Sequence, residues 1–189
     1  MDDIVRQAMA KWPNVPDCHG WLGLDDRGQW WMRDDRAQAA GPFQLPSTHP
    51  AASSARGSRL QHEKLVAFIG RNYAPDAQGC WYFQNGPQRV YVELMRAPWV
   101  CRVHEGKAGT VTLHTGVQVP VEHVWLDDQG ALYVQSPQGL ALVHSQDVGL
   151  AADLLEGGGW RFSECRADQL EAQFGYVLSP QARKNPSGA

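Results

Sequence analysis

The residues of this chain best suited to chemistry are its histidines and cysteines. Cys18 and His19 are adjacent, and His123 stands in a similar sequence context further along the chain. Thiolate and imidazole groups bind zinc and other soft metals, and a histidine can also act as a general base. One hypothesis is therefore a small hydrolase or metal-dependent enzyme that uses these three side chains, which must then lie close together.

Local signatures of an enzyme are missing from the sequence. Cys101-x-x-His104 has metal-ligand spacing but no partner motif, and His62-Glu63-Lys64-Leu65-Val66 has valine where HExxH needs histidine. Gly157-Gly158-Gly159 is not followed by the Lys-Ser/Thr of a phosphate loop, and it is expected to end a helix. We therefore predict no cofactor and no metal, and we lean against an enzyme.

Aromatic residues are the unusual part of the composition, which includes eight tryptophans. Consecutive rings in a strand, such as Trp81 and Tyr82, point to opposite faces, so one ring of the pair can cover the core while the other faces a partner. The predicted contact surface for a small molecule or a protein consists of Arg71, Asn72, Trp81, Gln84, Asn85 and Arg89. The alternative is that helices cover both faces of the sheet, which would bury the rings and leave no site.

The elements that would carry these residues are marked by a repeated turn. Asp25-x-x-Gly28, Asp76-x-x-Gly79 and Asp127-x-x-Gly130 follow one another at a constant offset of 51 residues. Aspartate caps the first position of a type I turn, and glycine accepts the left-handed conformation that closes a hairpin. Three hairpins are therefore predicted, and the carboxylates are interpreted as turn caps and not as acid–base groups.

A longer similarity links the first and third turns. Val15-Pro16-x-x-His19-x-Trp21-Leu22 is echoed by Val119-Pro120-x-x-His123-x-Trp125-Leu126. Either the chain contains two related lobes, or unrelated hairpins use the same turn residues. Strand alternation places each histidine on one face with its tryptophan and each leucine on the opposite face.

Hydrophobic periodicity predicts an α+β protein, built from antiparallel β-hairpins or a meander with short amphipathic helices. Helices are predicted at residues 2–12, about 59–72, 145–156 and about 166–174, the second with a capping box at Ser58 and Gln61. The predicted strands cover residues 19–24, 29–33, 80–84, 89–94, 99–104, 110–115, 121–126, 131–135, 140–144 and 176–178.

The predicted domain organisation has four parts. Residues 1–43 hold the first helix and hairpin, and residues 44–58 form a Pro-, Ser- and Ala-rich loop or linker. Residues 59–178 hold the second helix, the antiparallel sheet and the C-terminal helices, in one compact unit with residues 1–43. Residues 179–189 form a polar tail.

Charge and composition exclude several classes of protein. The net charge is −3 with both signs interspersed, so no basic footprint for nucleic acid exists. The N-terminus lacks a signal sequence, and no apolar run approaches the roughly 18 residues of a membrane span. The four cysteines form no CxxC pair, which is typical of free thiols in a reducing compartment. A cytoplasmic protein is expected.

Two stretches carry a resemblance to a known family. Residues 62–73 (HEKLVAFIGRNY) and 80–91 (CWYFQNGPQRVY) resemble a family of uncharacterised proteobacterial proteins, and the likeness extends over about residues 20–178. The Gly28-Gln29-Trp30-Trp31 segment is similar to the hairpin of another uncharacterised bacterial family. The resemblance implies a bacterial cytoplasmic origin and transfers no activity, ligand or catalytic residue.

The leading functional hypothesis is a non-enzymatic module that binds a small molecule or another protein. The hydrolase or metal-dependent enzyme described above is the first alternative. The second alternative is a homodimer in which the aromatic face is a permanent structural interface.

Overall fold

The computed structural model describes residues 1–184, which form two compact units, each with its own sheet. Unit 1 comprises residues 1–25, 29–95 and the C-terminal segment from residue 176, and unit 2 comprises residues 26–28 and 96–175. The combination of helices with two sheets confirms the predicted α+β fold class.

Within the described residues the chain forms seven α-helices and thirteen strands. The helices are α1 (Asp3–Lys11), α2 (Asp35–Ala40), α3 (Ala52–Arg56), α4 (Glu63–Arg71), α5 (Val148–Glu156), α6 (Leu170–Phe174) and α7 (Pro180–Lys184). The strands of unit 1 are β1 (Cys18–Leu24), β2 (Trp30–Met32), β3 (Ser58–Arg59), β4 (Tyr73–Pro75), β5 (Trp81–Asn85) and β6 (Gln88–Leu94). The strands of unit 2 are β7 (Trp99–Arg102), β8 (Thr110–Leu113), β9 (Gln118–Pro120), β10 (His123–Asp127), β11 (Leu132–Ser136), β12 (Gly139–Val143) and β13 (Phe162–Cys165).

Both sheets are mixed. The order in unit 1 is β3-β2-β1-β6-β5-β4, and in unit 2 it is β13-β10-β11-β12-β7-β8-β9. The predicted hairpins are present, but β1 with β6, β10 with β13, and β12 with β7 run parallel. The prediction of a simple antiparallel meander was therefore incomplete, because it left out these parallel pairs. Parallel neighbours are joined by long crossovers, which leave no turn signal between them in the sequence.

The three Asp-x-x-Gly turns have nearly the same geometry and connect β1 to β2, β4 to β5 and β10 to β11. In each, the aspartate Oδ1 accepts the backbone N–H four residues on, at 2.8, 2.9 and 2.7 Å. The glycines have positive φ, as predicted: Gly28 (+74°), Gly79 (+79°) and Gly130 (+82°). The other carboxylate oxygen accepts from an aromatic side chain: Trp31 Nε1 (2.9 Å), Tyr91 Oη (3.0 Å) and Tyr133 Oη (3.0 Å). The carboxylates are turn caps, as predicted.

Several predicted boundaries were wrong for local reasons. Helix α4 starts at Glu63 and is capped by the His62 imidazole, which accepts from the Leu65 N–H. Ser58 cannot cap it because Ser58 pairs with Met32 in the sheet. Residues 44–58, predicted as a loop, contain α3.

The C-terminal segment also departs from prediction. Residues 176–178 form no strand, although the Val177 N–H donates to Gly79 and the Leu94 N–H donates to Leu178. Part of the predicted tail is the helix α7, and residues 185–189 of that tail lie outside the described residues.

Two buried charges of unit 1 are held by hydrogen bonds, and one of them, Glu93, anchors this C-terminal segment. Arg33 is fully buried, and its guanidinium donates to several backbone carbonyls, among them that of Ala55 at 2.7 Å. Glu93 is 1% exposed and accepts from Ser179 Oγ at 2.6 Å and from the Gln181 N–H at 3.0 Å. Burial raises the pKa of Glu93. A buried charge is tolerated only where such partners compensate the loss of water.

Candidate functional site

Unit 1 contains an apolar cavity of about 240 Å³ between helix α4 and strands β1, β2, β5 and β6. Its wall includes Trp21, Leu22, Met32 and Leu65. Trp21 is 43% exposed and Met32 is 49% exposed, so two of the largest apolar side chains on the surface lie at this cavity. Clustered exposed apolar groups of this kind mark binding sites more often than isolated ones do.

The cavity exists because α4 covers the sheet only in part. The helix has nine residues, and its apolar side packs on the sheet through Ile69 and through Phe68, whose ring meets Phe83 edge-on at 5.5 Å. Leu65 and the preceding Leu60 remain only half-buried and form part of the cavity wall.

A bulge in β1 supplies the other wall. The pairing of β1 with β6 shifts between Cys18 and Leu22, and Gly20 lies between them with a φ of +80°. A bulge interrupts the strict alternation of side chains. Trp21 and Leu22, predicted to face opposite sides, consequently both line the cavity.

The cavity offers little that could perform chemistry. Its polar wall residues include Cys18 and the exposed Asn85. Burial raises the pKa of the Cys18 thiol, with a smaller opposing effect of Lys184. Because the thiolate is the nucleophile and the metal ligand, a raised pKa weakens both roles. The site is therefore suited to binding an apolar group beside one amide.

The structure does not gather the six residues of the predicted contact surface into one site. Asn72, Trp81 and Gln84 are buried at 2%, 5% and 0% exposure. Asn72 joins two segments, since its Oδ1 accepts from the Asp2 N–H at 2.8 Å and its Nδ2 donates to the Phe68 carbonyl at 2.9 Å. These three side chains lie inside unit 1.

The other three lie at its surface in different settings. Arg71 is exposed and pairs with Asp2 at 3.2 Å. The Arg89 guanidinium lies 4.9 Å from the centre of the Tyr82 ring. Asn85 alone among the six lines the apolar cavity. A sequence pattern could not have separated Asn85 from Gln84, because both follow the aromatic run of the same strand.

The three candidate metal ligands, Cys18, His19 and His123, lie in different surroundings. Cys18 lines the apolar cavity, whereas the His19 ring stacks on Tyr91 at 4.4 Å. Burial lowers the pKa of His19, and the neighbouring Lys184 lowers it further. His123 belongs to unit 2, where its Nε2 lies 2.9 Å from Ser163 Oγ. Among residues 1–184, no three His, Cys, Asp or Glu side chains are grouped so that they could hold a metal ion.

Cys101-x-x-His104 has a structural role. The Cys101 side chain is fully buried, and burial raises its pKa to about 12. His104 Nε2 lies 2.8 Å from Thr112 Oγ1 on the adjacent strand β8. Cys101 belongs to β7 in the sheet of unit 2, and His104 lies two residues beyond the end of that strand.

Most of the unusually numerous aromatic side chains belong to the hydrophobic core. Trp30, Trp81, Trp99 and Trp160 are all 7% exposed or less, as the alternative of covered sheet faces predicted. Trp21 was missed as a site residue because its exposure depends on the bulge at Gly20. The signal that could have identified it is the glycine in the middle of an otherwise regular strand pattern.

Comparison with solved structures gives distant matches. One is a DUF1285 family protein from Silicibacter pomeroyi DSS-3, with 16% identity and a TM-score of 0.47 over 82% of this chain and 85% of that chain. Another is a DUF1285 family protein from Shewanella baltica OS155, with 11% identity and a TM-score of 0.45 over 75% of this chain and 97% of that chain. A search of curated proteins gives no significant match.

The last two findings concern membrane-spanning helices and the family to which the chain belongs. No helix within residues 1–184 is long and apolar enough to cross a membrane. The resemblance seen in the sequence, to a conserved family without assigned activity, is confirmed. The family model described as "Protein of unknown function (DUF2946)" matches residues 1–181, and the chain therefore belongs to that family.

Proposed function

We propose that the protein is a non-enzymatic binding module that holds a small apolar molecule in the cavity of unit 1. The observation that carries this proposal is the combination of an apolar cavity with the partly exposed side chains of Trp21 and Met32 in its wall. A surface tryptophan and methionine without a partner expose apolar area to water, and a ligand that covers them gains roughly 25 cal/mol for each Å² buried.

The size and wall of the cavity define the ligand class. Small-molecule pockets commonly measure about 300–1,000 Å³. At about 240 Å³ this cavity suits a small ligand. The Asn85 amide can donate or accept one hydrogen bond, which would orient a ligand that carries a single polar group. Indole and 1-hexanol are representative probes because each joins an apolar body to one such group.

Isothermal titration calorimetry with these two probes tests the proposal. The wild type is expected to bind at least one of them saturably, and Trp21→Ala is expected to weaken that binding tenfold or more. Trp12→Ala is the matched control, because Trp12 is similarly exposed at 51% but does not line the cavity. Absence of saturable binding to both probes would overturn the proposal, as would an equal loss of affinity in both variants.

We also propose that the protein works in the cytoplasm. The support is that Cys18, Cys80, Cys101 and Cys165 are all free thiols. Mass measurement of the protein from cells whose thiols were blocked before lysis tests this. Four blocked cysteines are expected, and a disulfide-bonded product would contradict the proposal.

A further inference from the structure

A second pocket, of about 410 Å³, lies in unit 2 where the parallel strands β10 and β13 begin. Its wall includes Gly109, Glu122, His123, Gly159 and Arg161. Unlike the cavity of unit 1, it combines a carboxylate, an imidazole and a guanidinium with glycine backbone. Its volume lies within the range of pockets that hold small molecules.

The walls of this pocket are fixed by contacts within unit 2. Trp160 is 4% exposed, and its Nε1 donates to the Ala108 carbonyl at 2.6 Å, which joins the two loops at the pocket. Gly159 allows this approach, because a Cβ there would lie 3.3 Å from Ala108 Cβ. His123 is held by Ser163 at 2.9 Å. A preformed backbone framework reduces the cost of ordering the pocket walls on binding.

Two charges of the wall are not compensated. Glu122 and Arg161 are both exposed, and neither side chain forms a hydrogen bond or an ion pair with another residue in the described part of the chain. They also do not pair with each other across the pocket. A ligand that carries both a carboxylate and an ammonium group could bridge them, with the carboxylate meeting the forked guanidinium.

We infer that this pocket binds a small zwitterion with the charge pattern of an α-amino acid. Exposed single ion pairs contribute little in water, so neither charge alone gives useful affinity. Selectivity comes from satisfying both wall charges at once. This inference concerns unit 2 and is independent of the proposed function of the cavity in unit 1.

Nuclear magnetic resonance titration of the full-length ¹⁵N-labelled protein tests the inference with three matched probes. L-Alanine carries both charges, propionate lacks the ammonium group and ethylamine lacks the carboxylate. L-Alanine is expected to cause saturable shifts at the amides of residues 108–109, 121–124 and 159–161. Propionate and ethylamine are each expected to bind at least threefold more weakly.

Three charge-removing variants complete the experiment. Arg161→Gln and Glu122→Gln are expected to lower the affinity for L-alanine at least threefold, and their unchanged spectra will show that the fold is kept. Arg166→Gln is the control, because Arg166 is ion-paired with Asp168 at 2.8 Å and lies outside the pocket. The inference is overturned if no saturable shift occurs at the pocket, if propionate binds as tightly as L-alanine, or if the control loses as much affinity.

Discussion

One prediction concerns how much the aspartate of each repeated turn contributes to stability, and the turns can be compared with one another. The Asp127 carboxylate accepts hydrogen bonds from the Gln129 N–H (3.0 Å), the Ala131 N–H (2.7 Å) and the Tyr133 hydroxyl (3.0 Å). Its side chain is fully buried, and Arg96 lies 3.7 Å away. Asp127→Ala removes all of these interactions and leaves the turn amides without their acceptor.

The magnitude follows from the type and burial of these bonds. A hydrogen bond to a charged group contributes about 1.5–3 kcal/mol net, and the bonds of one network do not add fully. We therefore expect Asp127→Ala to lower the free energy of unfolding of unit 2 by about 4 kcal/mol. Asp76 makes the corresponding three bonds but is only half-buried, so water can replace its carboxylate. We expect Asp76→Ala to lower the free energy of unfolding of unit 1 by about 2 kcal/mol.

Native-state hydrogen exchange reports both changes, because it follows the amides of Ala131 and Cys80 that the two carboxylates hold. Urea denaturation gives the global stability beside it. Asp26→Ala is the control, since Asp26 is exposed in the first turn and should change stability by no more than about 0.5 kcal/mol. The reasoning is refuted if Asp127→Ala lowers the free energy of unfolding by no more than Asp26→Ala does, or by less than Asp76→Ala does.

Two further predictions concern other buried groups. Arg33→Met should destabilise unit 1 by about 3–5 kcal/mol in urea denaturation, because it leaves several buried backbone carbonyls, among them that of Ala55, without their donor; a loss below 1 kcal/mol would contradict this. In unit 2, burial lowers the pKa of His114 to about 3, and the Val100 N–H donates to its Nδ1. The unfolded chain binds this proton near pH 6.5 while the folded chain does not. The contribution of His114 to stability is therefore complete above pH 6.5. It is lost as pH falls towards 3, and the loss is about 2 kcal/mol at pH 5. His114→Gln should remove this dependence, and an unchanged pH profile in that variant would show that His114 is not its source.

Features determined by a few neighbouring residues could be predicted from the sequence. The Asp-x-x-Gly turns were predicted with their glycine conformation, because turn chemistry acts within four residues. The α+β class followed from the same local signals. The parallel pairing of β1 with β6 could not be predicted, since it joins residues far apart in the chain that share no local pattern.

The candidate site depends on tertiary detail that local patterns do not contain. Asn72 and Gln84 have the composition of surface residues, yet both are buried, and Asn72 is satisfied there by hydrogen bonds to Asp2 and Phe68. The cavity arises from a bulge at Gly20 and from a helix that covers the sheet only in part. A close relationship between the two lobes stays a prediction, since their shared turn geometry is also expected of unrelated hairpins.

The most direct test of the central claim is to map where indole binds. Two-dimensional ¹H–¹⁵N spectra of the full-length protein, recorded during an indole titration, resolve the site residue by residue. The proposed function predicts saturable shifts at the amides of Trp21, Leu22, Met32, Leu65 and Asn85 in unit 1. Saturable shifts confined to other residues, or no saturable shift at all, would contradict it.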